Sequence, residues 1–472
     1  MKKLFIDGKW VDTGKTLDVN RPYDNSLVDT ICVASVEDTE KAIQAAFKAK
    51  AIMKNLTAAE RGQILDNVAA LIDRDKEEIA QIITAEAGKG LLFSRGEAGR
   101  TVENFKFAAD EARRLGGELI PFDASASGAN RFGYYKHYPI GVVGAITPFN
   151  FPLNLVAHKV GPAIAAGNAV ILKPASSTPL TSVKLVELLL EAGLPPEGIN
   201  LVVGSGSVVG NAMVESELIN MITFTGSPGV GLGIKSKAGI KKVTLELGSN
   251  SAAIIHEDAD IKYAVPKCVI GGFANSGQVC ISIQRIYIHE SRYDEFRNMF
   301  VDAVKASAYG DPESEKTLVG PMIDENEAAR AESWIKAAVA GGAKVAVGGG
   351  RKGTMLEPTV LEDVTEDMTV IREEAFAPLV CIMKYKTLDE AIEKVNDSQF
   401  GLQAGIFTND IKNAFTAIDE LEVGGVMVND MPTFRVDQMP YGGLKLSGTG
   451  REGPKFAIEE MTELKTVMIN LN

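Results

Sequence analysis

The sequence predicts an α/β protein built from two parallel-sheet units. Three observations carry this. The chain has 472 residues, too long for one hydrophobic core. From about residue 140, short β-branched runs appear, most of them closed by Gly, Pro or Asn. Helical stretches separate several of these runs, which is the pattern of buried parallel strands. Hydrophobic residues make up 45% and charged residues 24%, as in an ordinary soluble globular chain, with no internal repeat and no low-complexity segment.

Residues 37–115 read mainly as helix. Ala45, Ala46, Ala49 and Ile52 recur at helical spacing, as do Ile64, Val68, Leu71 and Ile72, then Ile79, Ile82 and Ile83. Gly88 and Gly90 read as C-terminal signals closing that run. The first strands fall at 141–147, 169–172, 200–203, 221–224 and 243–245, with helices near 179–191 and 205–214. A second unit after about residue 248 has strands at 252–255, 285–289, 379–383 and 423–428 and helices near 293–307 and 326–340. Two segments fit neither unit: 118–138, with Phe132, Tyr134 and Tyr135 among polar neighbours, and the tail, with Thr466 to Ile469. Read as strands without a partner in their own domain, they are candidates for contacts between copies. An ordinary surface hairpin and tail account for them equally well.

A net charge of -13 disfavours nucleic acid and anionic membrane surfaces. No apolar run reaches the roughly 18–20 residues a membrane span needs. Only three apolar residues separate the leading lysines from Asp7, which is no signal peptide. Cys32, Cys268, Cys280 and Cys381 are widely spaced with no CxxC, so neither a disulfide framework nor a metal site is predicted, and a cytoplasmic setting fits. A lone cysteine is by default a small buried apolar residue. A chemical role must therefore come from its surroundings.

Four segments offer such surroundings. In Asn275-Ser-Gly-Gln-Val-Cys280, a small Gly-containing turn exposes a thiol and offers backbone N–H groups that favour thiolate and hold an oxyanion. In Val243-Thr-Leu-Glu246, an apolar strand ends in a carboxylate able to act as a general base; a solvated surface glutamate is the plain alternative. In Pro148-Phe-Asn150-Phe-Pro152, two prolines fix an amide that can donate to an oxyanion, although such an Asn is usually just a turn residue. Phe224-Thr-Gly226-Ser227-Pro-Gly229 follows a strand and offers N–H groups to phosphate. Gly204-Ser-Gly206-Ser-Val-Val-Gly210 comes close to a dinucleotide fingerprint but has one residue too many. None of the four histidines lies near Cys280 in sequence, and the local signatures of Cys–His proteases are absent.

Together these segments resemble the aldehyde dehydrogenase superfamily over nearly the whole chain. The resemblance continues through Lys173-Pro-Ala-Ser176, Glu373-Glu374-Ala-Phe376-Ala-Pro378 and Met439-Pro-Tyr-Gly-Gly443, with Gly450-Arg-Glu-Gly453 beyond. Within the superfamily, the stretches around Asn150 and at 432–438 are most similar to the lactaldehyde and glyceraldehyde-type branches. The resemblance implies a Rossmann-like cofactor domain (1–117 and 139–247), a catalytic domain (248–454) and an oligomerisation element (118–138 and 455–472). It implies NAD(P)+-dependent oxidation of an aldehyde to an acid, without a metal, in a homodimer or homotetramer. Cys280 matches the nucleophile, Glu246 the general base, and Asn150 the oxyanion amide. Lys173 matches the holder of the adenosine ribose, Gly226 and Ser227 the pyrophosphate turn, Glu374 the holder of the nicotinamide ribose, and Phe376 a neighbour of that ring. Thr147, Pro148, Phe149, Ser176, Gly206, Gly210, Phe224, Val230 and Leu247 join the implied cofactor site, and Asn154 the implied substrate site.

Three departures from the family pattern matter. Ser176 stands where many NAD-preferring members carry glutamate, so repulsion of a 2′-phosphate is removed and NADP is expected to be tolerated. Ser249 and Asn250 replace the commoner pair after Gly248. Arg435 is a candidate for an anionic far end of the aldehyde, with Arg285 a second; for each, a structural ion pair is the plain alternative. Rival readings are a succinic semialdehyde dehydrogenase, a CoA-acylating relative (disfavoured by Glu246), an idle binding relative and a cysteine hydrolase.

Overall fold

In the computed structural model, which describes residues 1–472, the first helices begin where capping side chains place them. Ser35 with Asp38 and Thr57 with Glu60 form reciprocal capping boxes ahead of Val36–Asn55 and Ala58–Arg74. Lys76–Ala87 stops at Gly88, whose φ of 67° is left-handed. Gly90 corrects the expectation: it does not end a helix but caps the start of Leu91–Arg114.

The first sheet has eight strands. Its parallel members are Val142–Ile146, Ala169–Lys173, Ile199–Leu201, Met221–Thr225 and Lys242–Glu246. They are buried almost throughout because helices cover both faces, which explains their unbroken apolar runs. The parallel part starts at Val142–Ile146, adds two strands to one side, then crosses to add two on the other. The crevice of this α/β sheet therefore opens between Val142–Ile146 and Met221–Thr225, at the strands' carboxyl ends.

Sequence reading did not anticipate either edge of this sheet. The hairpin Leu4–Ile6 and Lys9–Val11 adds antiparallel beside Ile199–Leu201. At the far edge, Gly448–Thr449 returns from the second half of the chain to pair antiparallel with Lys242–Glu246. Helix Pro454–Glu460 then packs on Asn154–Ala166 and Leu91–Arg114. The chain thus rejoins the first sheet before the expected boundary at 454.

The second sheet has seven strands in the order Lys344–Val347, Thr359–Glu362, Leu379–Tyr385, Arg285–His289, Ala252–Ile255, Gln403–Phe407 and Gly425–Val428. All pairs are parallel except the one made by Lys344–Val347. Separate apolar cores form on its two faces. The third sheet gathers the two segments that fit neither unit, each finding its partner in the other and not in a main sheet. Arg131–Pro139 and Thr462–Asn470 pair with each other over nine residues, with Gly117–Leu119 alongside. Leu119, Phe132, Leu464, Met468 and Ile469 remain exposed on it.

Candidate active site

Three consecutive left-handed residues aim the cysteine. Asn275, Ser276 and Gly277, just beyond helix Ile261–Phe273, have φ of 52°, 57° and 68°. Such a conformation costs about 1–3 kcal/mol for a non-glycine residue and persists only when neighbours hold it. The Asn275 amide donates to the Asn150 carbonyl at 3.3 Å, and the Ser276 hydroxyl to the Gly320 carbonyl at 2.8 Å. Only glycine fits at 277, where a Cβ would lie 2.0 Å from the Ala377 carbonyl oxygen. Cys280, half-buried, emerges from this turn at the wall of a cavity, and its backbone N–H donates to no protein acceptor. Its Sγ lies 2.9 Å from Tyr441 Oη. Burial pushes the thiol up to about 11, against the pull of the Tyr441 hydroxyl and the Arg435 charge. Cys32, Cys268 and Cys381 are buried.

Asn150 is held on a loop clamped from below. Glu97 accepts the N–H groups of Leu153 and Asn154 at 2.9 and 3.0 Å, and pairs with Lys89; both side chains are wholly buried. The Lys89 ammonium also lies 3.6 Å from the Phe151 ring centroid. One Asn150 Nδ2 hydrogen goes to the Gln278 carbonyl at 2.9 Å, while Oδ1 has no partner. The second Nδ2 hydrogen has no protein acceptor, and Asn150 and Cys280 line the same cavity.

Glu246 ends its strand at the same level, buried, with neither carboxylate oxygen hydrogen-bonded. Burial and the like charge of Glu452 push its carboxyl well above the usual range; Lys159 and Arg435 pull the other way. It does not line the cavity. Its Oε1 sits 3.0 Å from where a Gly442 Cβ would be, so an added side chain at 442 would crowd it.

The cavity, of about 870 Å³, is large enough for a dinucleotide. Along it lie Thr147, Pro148, Phe149 and Asn150 from one strand end, Lys173 from the next, and Phe224, Gly226 and Ser227 from the third. Gly206, Gly210, Val230 and Leu247 line it too, as do Cys280, Glu374 and Phe376 from the second half of the chain. Side chains at Gly206, Gly229 and Gly233 would point into open space, so the backbone can be approached closely there. Ser227 caps helix Pro228–Lys237 without using its side chain, leaving the helix start open to an anion. Lys173 has one long contact, 3.4 Å to the Pro174 carbonyl, and burial draws its ammonium down to about 8. Glu374 accepts the Ser249 N–H at 2.9 Å, and burial pushes its carboxyl up to about 7. Phe376, at φ 47°, meets Phe149 edge to face at 5.9 Å. These features fit a nicotinamide dinucleotide: an underused cation, an open helix start, a buried carboxylate and an aromatic corner.

Besides Glu246, four expected residues lie off this wall. The Ser176 hydroxyl turns to the Gly204 carbonyl at 3.0 Å. Asn154 is buried and donates to Asp437 at 3.0 Å. Arg285 is corrected outright: its Nε donates to the Asn250 carbonyl at 2.9 Å and its Nη atoms to the carbonyls of Lys394 and Val395. It ties strands to a helix end and meets no substrate space. Arg435 lies beneath the site, Nη2 on Glu452 at 3.0 Å and guanidinium 3.6 Å from the Tyr441 ring centroid, with Nε unpartnered. Sequence reading missed Tyr441 as a site residue. Its only signal was its place in Met439-Pro-Tyr-Gly-Gly, where a tyrosine reads as packing.

The aldehyde dehydrogenase family profile matches residues 10–467. A 3-sulfolactaldehyde dehydrogenase of Priestia aryabhattai is 47% identical over 469 residues, covering 99% of this chain and 98% of the relative. A lactaldehyde dehydrogenase of Methanococcus aeolicus is 43% identical over 471 residues, covering 99% and 100%. The solved glyceraldehyde-3-phosphate dehydrogenase GapN of Methanocaldococcus jannaschii, complexed with NADP, superposes with a TM-score of 0.93 at 42% identity, covering 96% of this chain and 99% of that one. This chain belongs to the aldehyde dehydrogenase family and is an NAD(P)-dependent aldehyde dehydrogenase.

Proposed function

We propose that the enzyme oxidises a small hydroxyaldehyde bearing a terminal anion to the carboxylic acid, with Cys280 as nucleophile. The observation that carries the chemistry is that the Cys280 thiol, its unpaired N–H and a free hydrogen of the Asn150 amide share one cavity. Attack of the thiolate on the carbonyl carbon forms a thiohemiacetal, and its oxyanion receives the Asn150 and Cys280 N–H groups. NAD(P)+, when bound, supplies the hydride acceptor. The thioester left on Cys280 is opened by water, which Glu246 deprotonates. Glu246 reaches that water by rotation, and no hydrogen bond on its carboxylate opposes the turn.

Lys173, Gly226, Ser227, Glu374 and Phe376 hold the cofactor in this reading. Lys173 and Lys237 both line the cavity, Lys237 also pairing with Glu215 at 3.2 Å, and position 176 carries no carboxylate, which supports acceptance of NADP as well as NAD. Assembly as a homodimer or homotetramer is supported by the exposed apolar residues of the third sheet.

The substrate class rests on the sulfolactaldehyde and glyceraldehyde-3-phosphate relatives and on Arg435, a buried guanidinium with a free Nε. Kinetics with sulfolactaldehyde, glyceraldehyde 3-phosphate and lactaldehyde test it. The expected result is a higher kcat/KM for the anionic aldehydes, and in Arg435→Leu a rise in KM larger for them than for lactaldehyde. A preference for lactaldehyde, or an equal effect of the substitution on all three, refutes the anionic assignment.

A further inference from the structure

We infer that Tyr441 is the hydrogen-bond donor that stabilises the Cys280 thiolate, with Arg435 backing its ring, so that a phenol sets the readiness of the nucleophile. The inference rests on Cys280 being the nucleophile. A phenol is a stronger donor than a thiol, and a thiolate a stronger acceptor than a thiol. The 2.9 Å contact between Sγ and Oη is therefore stronger once the sulfur is ionised.

Three features hold the phenol for this task. Its backbone is locked to Glu452 by a reciprocal pair, Tyr441 N to Glu452 O at 3.1 Å and Glu452 N to Tyr441 O at 2.7 Å. Its ring is fully buried among Val279, Ile281 and Leu402. Its face carries the Arg435 guanidinium at 3.6 Å from the centroid. Arg435 is held by the Glu452 side chain, so one residue fixes the phenol through its backbone and the cation through its carboxylate. A cation on the ring face draws electron density from the phenol and makes its O–H a better donor. The charged groups that bear on the sulfur are Arg435, which favours the thiolate, and Glu374 and Glu246, which oppose it. Tyr441 is the one hydroxyl that touches it.

The test is the pH dependence of Cys280 alkylation by iodoacetamide on the cofactor-free enzyme, with Cys280→Ala identifying the labelled thiol. Because no aldehyde is present, this readout stands apart from the substrate assignment. If instead Cys280→Ala retains aldehyde oxidation, the nucleophile reading itself falls. Tyr441→Phe keeps the ring and removes only the donor. It should move the inflection upward by about one pH unit, about tenfold in rate below it. NADPH binding to the variant, followed by fluorescence, verifies an intact site. An unchanged or lowered inflection overturns the inference. Wild-type protein made with 3-fluorotyrosine, a more acidic phenol, gives a second reading without substitution. Its inflection should move downward, and an upward or absent shift overturns the inference equally.

Discussion

Glu246→Gln separates the two halves of the proposed reaction. Gln keeps the size of the side chain and removes its ability to take a proton from water. General-base catalysis supplies about 10²–10⁴ in rate, so steady-state kcat should fall by that factor. Nothing before thioester formation uses this carboxylate. A stopped-flow burst of NAD(P)H, equal to the active sites, should therefore survive in the variant while turnover collapses. The wild-type pH profile follows from the same burial. The base works only when ionised, and burial with the nearby Glu452 charge raises its carboxyl well above the usual range. The acid limb of kcat should thus lie above that range, with activity lost as pH falls through it, and Glu246→Gln should abolish the limb. Loss of activity is not loss of fold. A raised carboxyl contributes stability fully below its unfolded value and loses it as pH rises through the folded one. A neutral Gln avoids that loss, so the variant should resist thermal inactivation at pH 8 at least as well as wild type. Disappearance of the burst together with turnover would refute the reasoning, because it would place Glu246 before hydride loss.

Asn150→Ala removes one oxyanion donor and should lower kcat by about 10²–10³, with little change in the binding of NAD(P)H measured by fluorescence. Lys89→Met leaves the wholly buried Glu97 carboxylate without its cation. It should destabilise the protein by about 3–5 kcal/mol, seen as earlier thermal inactivation, and should slow turnover by loosening the Asn150 loop.

The pattern of strands and helices was readable where elements are long and locally determined. Buried runs such as Ala169–Lys173 and helices such as Leu180–Glu191 declare themselves by composition. Leu4–Ile6 and Gly448–Thr449 do not: each is two or three residues long and exists because a distant strand offers it an edge. The candidate site shows the same divide. Cys280, Asn150 and Lys173 sit in motifs whose types and order are distinctive, and the fold gathers them along one cavity. Arg285 and Arg435 look alike in sequence, yet carbonyl oxygens surround the first, while the second lies under a tyrosine with a donor to spare. Partners of that kind come from residues far along the chain, and no local pattern announces them. Gly90 misled for a related reason. A glycine serves either end of a helix, and only the course of the following residues shows which.

The return of Gly448–Thr449 to the first sheet has a consequence for biosynthesis. Lys242–Glu246 leaves the ribosome long before its outer neighbour is made. Until then its hydrogen-bonding edge is open, and an open edge is where nascent chains pair wrongly. Helix Pro454–Glu460 arrives later still to cover Asn154–Ala166. A fragment cut at residue 247 would therefore be no miniature of the first unit, since it would lack both the closing strand and the covering helix. Maturation of the first sheet has to wait for the last part of the message to be translated.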